Sequence, residues 1–233
     1  MKRLFIFLIL IIVSSYCFSL GRTEVQEKLP RINKVVLNNW GKLNIEKGDE
    51  NKLQIKTSEY LHSKMKTQIF GDTLVLSIEG IQTGLNRSAI NYHLFLRDFA
   101  SIENRSTGTI LVQPSAVEEL SLIVSSSGDI MCKNITGGTL TIDISDSGNI
   151  TVESGDVGLQ RINLSGTGDY SAGNLKSGVS LVLLSGPGKG EIWVTGSLDA
   201  VVTGGGDLSY YGDPEIARAE SPGSGTILPL GEK

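Results

Sequence analysis

From about residue 120 onward the chain alternates apolar and polar residues in short runs, and each run ends in a serine or threonine followed by glycine. One position before that leading residue stand Val124, Ile144, Leu164, Leu184 and Val202, and three positions before it stand Leu122, Ile142, Ile162, Val182 and Ala200. Alternation by two sends all ten to one face of their strands. The turns that follow read Ser125-Ser126-Ser127-Gly128-Asp129-Ile130, Ser145-Asp146-Ser147-Gly148-Asn149-Ile150 and Ser165-Gly166-Thr167-Gly168-Asp169-Tyr170, with later copies ending at Gly188, Gly206 and Gly225. From Gly128 to Gly225 the spacings are 20, 20, 20, 18 and 19 residues. Gly108 lies 20 residues before Gly128 and counts as a degraded first copy. A fixed period of this size predicts a solenoid, with one coil per repeat and like residues stacked about 4.8 Å apart into internal ladders.

The same pattern gives roles to the turn residues. Gly128, Gly148, Gly168, Gly188, Gly206 and Gly225 are expected at sharp corners that need positive φ. Asp129, Asn149, Asp169 and Asp207 follow the corner glycines, where a short polar side chain can bond nearby amides. The copy at Pro187-Gly188-Lys189-Gly190 breaks the pattern, and a local bulge is expected there.

The first hundred residues are less regular. Strands are predicted at 34–37, 42–46, 52–56, 73–78 and 91–96, with a turn at 47–51 and a loop at 80–88. Residues 58–70 fit a weak helical spacing of Tyr60, Leu61 and Met65 or an irregular strand. The domain reading is a leader at 20–31, a single all-β solenoid at 32–228 with about 20-residue coils, and a tail at 229–233. Within the solenoid, 32–100 is the irregular N-terminal part and 101–228 the regular part.

Lys2 and Arg3, the apolar run Leu4 to Val13 and the small residues up to Ser19 predict a secretory signal peptide over 1–19. The competing readings are a buried core helix and a lipoprotein signal using Cys17, against which the bulky Tyr16 counts. The run is too short to span a bilayer, so no integral membrane segment remains after cleavage. Export leaves periplasmic, outer-membrane-associated and extracellular placement open. The whole chain carries 21 Lys and Arg against 25 Asp and Glu, and losing Lys2 and Arg3 makes it more acidic still. Such a surface repels phosphate backbones, which argues against nucleic acid as a partner. Cys132 is the one thiol after cleavage, and its phase with Ile130 predicts a buried, inert side chain.

Together with Tyr210-Tyr211-Gly212-Asp213-Pro214, the closing Gly223-Ser224-Gly225-Thr226-Ile227 and the turn around Gly48, the serial Ser-Gly-x-Gly-Asp turns make the chain resemble the putative auto-transporter adhesin, head GIN domain family. The resemblance covers residues 32 to 228. It implies a right-handed parallel β-helix without catalytic residues, in secreted bacterial proteins with a proposed role in adhesion.

No catalytic, cofactor or metal residue is assigned from the sequence. His62 and His93 have no metal-ligand spacing, Gly186-Pro187-Gly188-Lys189-Gly190 lacks the phosphate-loop spacing, and no serine stands in a nucleophile elbow. The stacked Asp129, Asp169 and Asp207 either cap their turns or gather a weak Ca²⁺ site. A carbohydrate-active enzyme would use carboxylates with Arg on one outer face, for which Asp143, Asp146 and Arg161 are the candidates. Leu181-Val182-Leu183-Leu184 cannot all face one core from a strand, so Leu181, Leu183 and Val201, with Trp193 just beyond, form a candidate interaction surface. Its cover would be the N-terminal half folded back, a homo-oligomer or a protein ligand. The leading functional reading is a non-enzymatic cell-envelope protein serving adhesion or scaffolding, with a protein or glycan partner at the cell surface. A carbohydrate-active enzyme and a structural homo-oligomer are the alternatives.

Overall fold

The computed structural model describes residues 23–80 and 89–233. The signal peptide expected at 1–19, Cys17 and most of the loop at 80–88 lie outside the described residues. The N-terminal strands are β1 (Thr23–Lys28), β2 (Lys34–Asn38), β3 (Lys42–Lys47) and β4 (Lys52–Thr57), followed by a single helical turn, α1 (Glu59–His62). After it come β5 (Met65–Phe70), β6 (Thr73–Ile78) and β7 (Asn91–Leu96). The regular part continues as β8 (Ser101–Asn104), β9 (Thr109–Val112), β10 (Ser115–Val124), β11 (Asp129–Cys132), β12 (Ile135–Ile144), β13 (Ile150–Val152) and β14 (Gly155–Leu164). It ends with β15 (Tyr170–Leu184), β16 (Gly190–Val202), β17 (Leu208–Tyr211), β18 (Glu215–Glu220) and β19 (Ile227–Gly231).

The chain winds as a parallel β-solenoid of about 7 coils, each about 20 residues from the next. Ile142 of β12 lies between Leu122 of β10 and Ile162 of β14, and Ile130 of β11 pairs with Ile110 and Ile150. Both inward columns read from the sequence, Val124 to Val202 and Leu122 to Ala200, are buried along their whole length. Burying one such aliphatic side chain is worth about 1.5–3 kcal/mol, so the continuous ladders are a main source of stability. Cys132 is fully buried in the column of Val112 and Val152, and burial pushes its thiol far above the ordinary range, which makes it inert. Buried polar side chains are tied down by hydrogen bonds at several points, as where Tyr170 Oη donates to Gln160 Oε1 at 2.7 Å.

The corner glycines are required for a different reason from the expected one. Positive φ occurs at Gly71, Gly80, Gly137, Gly155, Gly212 and Gly231, and at none of Gly128, Gly148, Gly168, Gly188, Gly206 or Gly225. A Cβ on Gly128 would strike the carbonyl oxygen of Gly108, one on Gly148 that of Gly128, and so on up the stack to Gly225 against Gly206. Each coil therefore rests its corner on the backbone of the coil below, in a space that admits no side chain. A second row at the opposite end of the long strands, Gly138, Gly158, Gly178 and Gly196, also lies over the carbonyl beneath, less tightly: a Cβ would come 3.0 Å from it at Gly158 and Gly178 and closer at Gly138 and Gly196.

Side chains also link the coils at the first corner. Asp129 Oδ1 accepts from the Asn149 backbone amide at 2.9 Å, Asn149 Oδ1 from Asp169 N at 2.9 Å, and Asp169 Oδ1 from Lys189 N at 2.7 Å. Asp207 Oδ1 accepts from both Thr226 N (3.0 Å) and Thr226 Oγ1 (2.7 Å). Each short polar side chain thus caps the next coil rather than its own turn. In the first coils a buried asparagine does this work instead. Asn104 Nδ2 donates to Asp129 O as well as to Gly108 O in its own turn, and Asn39 Nδ2 donates to Leu76 O and Tyr92 Oη.

Three boundaries differ from those expected, and one open stretch holds both of its alternatives. β2 and β3 already form a full coil edge, pairing with β8 and β9 in parallel, so the regular stack begins before residue 101. The segment read as a leader contributes β1, antiparallel to β4, and the stretch read as a tail is part of β19, which pairs with β17. Residues 58–70 divide into α1 and β5, the latter antiparallel to β6. The expected bulge at Pro187–Gly190 is absent: Lys189 and Gly190 stack in register on Asp169 and Tyr170. The irregularity falls instead between Ala172 and Lys176 and again between Ser177 and Val179, where the register shifts against β16.

Candidate interaction surface

The outward residues of β10, β12, β14, β15, β16 and β18 form two columns on one broad sheet face. Ser121, Thr141, Arg161, Leu181, Asp199 and Arg218 follow one another in register, and beside them run Ile123, Asp143, Asn163, Leu183, Val201 and Glu220. Between the columns lies a shallow open groove of about 320 Å³, reaching from Thr141 and Asp143 to Asp199 and Arg218. Leu183 is 44% exposed, while Leu181 and Val201 are half-buried between their neighbours on adjacent coils. Arg218 donates to Asp199 at 2.7 Å at one end of the groove, and this hydrogen bond raises the guanidinium pKa further.

Of the candidate residues, the structure brings Leu181, Leu183 and Val201 together and leaves Trp193 apart. Trp193 pairs with Tyr211 of β17, around a corner of the coil in the sheet that contains β11 and β13. Among the described residues, the N-terminal half does not fold back over the aliphatic stripe. Its strands stack end-on, β2 and β3 against β8 and β9, because an open parallel edge offers a row of unsatisfied hydrogen bonds that a strand can satisfy and a side-chain face does not.

Asp143, Asp146 and Arg161 are not joined by any hydrogen bond or ion pair among the described residues. Asp143 and Arg161 stand on the sheet face, whereas Asp146 is in the turn, where its backbone carbonyl accepts from Thr167 N and Gly168 N, both at 2.9 Å. No group of three or more His, Cys, Asp or Glu arranged to hold a metal ion occurs among the described residues. The ladder carboxylates are engaged by backbone amides.

A second open groove, of about 550 Å³, lies on the N-terminal coils and is lined by Asn44, Gln54, His93 and Gln113 among others. Gln113 Nε2 donates to Asn44 Oδ1 at 2.7 Å, and His93 lies 3.1 Å from Glu46 and 4.1 Å from the Phe95 ring. It draws on β3, β4, β7 and β9, brought together by long-range pairing, and has no local signature in the sequence.

A family model described as "Putative auto-transporter adhesin, head GIN domain" matches residues 31–214. Among solved structures, the fold is similar to that of a putative adhesin from Bacteroides fragilis, with a TM-score of 0.83 and 21% identity over 91% of this chain and 98% of that one. It is also similar to a putative lipid binding protein from Parabacteroides distasonis (TM-score 0.67, 20% identity, 89% of this chain and 96% of that one). A putative adhesin from Parabacteroides merdae is a further neighbour (TM-score 0.66, 16% identity, 90% and 96%). Among curated proteins none matches this sequence. At these identities the structural neighbours speak for the solenoid fold alone, while the family model, spanning most of the sequence, decides membership: the chain belongs to the putative auto-transporter adhesin, head GIN domain family.

Proposed function

We propose that the protein is an exported, non-enzymatic interaction module of the cell envelope, adhesin-like in role, that binds a protein partner on the sheet face around Leu181, Leu183 and Val201. The observation that carries this reading is the bare aliphatic centre of that face. Parallel sheets are ordinarily covered on both sides, and this one exposes Leu183 with Asp143, Arg161, Asp199 and Arg218 around it. An apolar centre with a polar rim is the anatomy of a protein interface. The two columns contain no aromatic residue on which a sugar ring could stack, which favours protein over glycan. The family's adhesin description and the predicted signal peptide support placement at or beyond the cell envelope. No helix among the described residues is long and apolar enough to cross a membrane.

The test compares native protein with Leu183→Asp for retention on surfaces coated with protein or with polysaccharide, alongside sedimentation of each. The reading expects retention on protein-coated surfaces, weakened at least about tenfold by the substitution, since it puts an unpaired charge at the centre of the interface. Equal retention would overturn it. Native protein that sediments as a dimer, with Leu183→Asp a monomer, would show the partner to be a second copy. Turnover of a polysaccharide that is lost in Asp143→Ala or Arg161→Ala would replace this reading with the enzymatic one. Because one structural neighbour is called a putative lipid binding protein, vesicle binding is a useful control. The coil interior here is filled by side chains, so a lipid would have to dock on an outer face.

A further inference from the structure

The register slip in β15 exposes a set of groups that the sheet face does not use. Ala172 pairs with Ile192 and the next pair is Lys176 with Trp193, so Gly173, Asn174 and Leu175 form the bulge. Leu175 turns into the core, which leaves the Gly173 carbonyl and the Asn174 side chain directed away from it. The Lys233 ammonium donates to Gly173 O at 2.5 Å and to Asn174 Oδ1 at 2.6 Å. The same nitrogen lies 4.2 Å from the centroid of the Tyr211 ring and 5.9 Å from that of Trp193. Trp193 and Tyr211 are register partners on neighbouring coils, and both rings lie near that nitrogen.

Two further details show a built site. A Cβ on Gly173 would collide with Glu191 Oε1 and come 3.2 Å from Tyr211 Cε2, so this glycine lets a carboxylate and a ring close over its backbone. Gly212 and Gly231, at φ +99° and +88°, are joined by a 2.9 Å hydrogen bond from Gly212 N to Gly231 O that turns the last residues across the sheet. A bulge that re-aims groups beside a ligand site is a recurrent device of β-structures.

We propose that Gly173, Asn174, Glu191, Trp193 and Tyr211 form a receptor site for a primary alkylammonium group, and that Lys233 occupies it in cis. The chemistry is specific. Two oxygen acceptors take two of the three ammonium protons, and the ring faces attract the cation. A quaternary ammonium satisfies the rings and not the oxygens, so it is the weaker ligand. The incoming group is a lysine side chain of a partner protein or a free diamine, and either must displace Lys233, whose tether gives it an effective concentration in the millimolar range. The site is on a different side of the coil from the Leu181–Leu183 face and does not depend on the function proposed for that face.

The experiment titrates native protein and Lys233→Ala with n-butylammonium chloride, with sodium chloride at equal ionic strength as the control, following the indole N–H resonance of Trp193. Lys233→Ala is expected to show a saturable shift at a concentration about tenfold or more below that needed by the native chain. Tetramethylammonium should require at least about tenfold more than butylammonium, and Tyr211→Leu in the Lys233→Ala background should remove the response. A stronger response to Nα-acetyl-lysine amide than to cadaverine assigns the site to a protein side chain, and the reverse order assigns it to a free diamine. No saturable shift in Lys233→Ala, equal responses of the two proteins, or a matching effect of sodium overturns the proposal.

Discussion

A turn glycine can be needed for its backbone angles or for its missing side chain, and the corner glycines of this solenoid are of the second kind. At Gly148 a Cβ would meet Gly128 O and lie 2.8 Å from both Ser126 O and Val124 Cγ1, all part of the coil below. At Gly71 φ is +64° and nothing lies within 4 Å of the same position. The two sites therefore separate the two causes. Gly148→Ala should cost about 2–4 kcal/mol, because rigid backbone must move to admit the methyl group. Gly71→Ala should cost about 1–2 kcal/mol, the price of a left-handed conformation alone. Denaturant unfolding of both variants checks this, and a larger loss at Gly71 would reject close approach as the reason for the corner row. The positions of these glycines were legible in the sequence because they recur every 18 to 20 residues. Their reason was not, because the obstructing carbonyl belongs to a residue one full coil away.

Between coils, the polar ladder at the first corner is continuous from Asp129 to Lys189 and is interrupted there, since a lysine has no acceptor to offer the Asp207 amide. Lys189→Asn places at the gap the residue that joins Asp129 to Asp169 as Asn149. Stability at neutral pH should rise by about 0.5–1 kcal/mol, measured by denaturant unfolding, since the lost attraction between Lys189 and Asp207 acts across solvent and is weak. An unchanged or lowered midpoint would mean that the ladder bonds add nothing net. At Asp207 the hydrogen bonds from Thr226, side chain first and backbone second, hold the carboxyl below the ordinary range. A depressed folded pKa stabilises above the unfolded value and is lost as pH falls through the folded one, so this link between the last two coils loosens only in acid below about pH 4. The break in the period was also legible in the sequence, though its place was not. The spacing from Gly188 to Gly206 shows that a coil is short without saying where, and the slip lies on the far side of the coil at Gly173 to Leu175. For the same reason the sequence groups Trp193, eight residues before Val201 along β16, with a face that the bend in that strand keeps it from.

Over the whole molecule the two ends of the stack are finished differently, and this sets how stability is distributed. At the N-terminal end β6 and β7 cover β2 and β3, and the antiparallel strands β5, β4 and β1 close the pairing outside them. This arrangement was hidden in the sequence because β3 and β9 are neighbours in the fold with residues 48–108 inserted between them. At the other end β18 pairs with β16 along one edge, and all six of its side chains are exposed. In a repeat protein each coil is stabilised chiefly by its neighbours, so a terminal coil with one neighbour and little buried area opens well before the centre. Native-state hydrogen exchange should therefore show the β18 amides bonded to β16 exchanging at least about a hundredfold faster than those of β12 and β14, which have a paired strand on both sides. A further coil or a second molecule on the outer edge of β18 would erase that difference, so equal protection would reject a free edge, and a concentration dependence of the β18 rates would identify the cover as another copy of the chain.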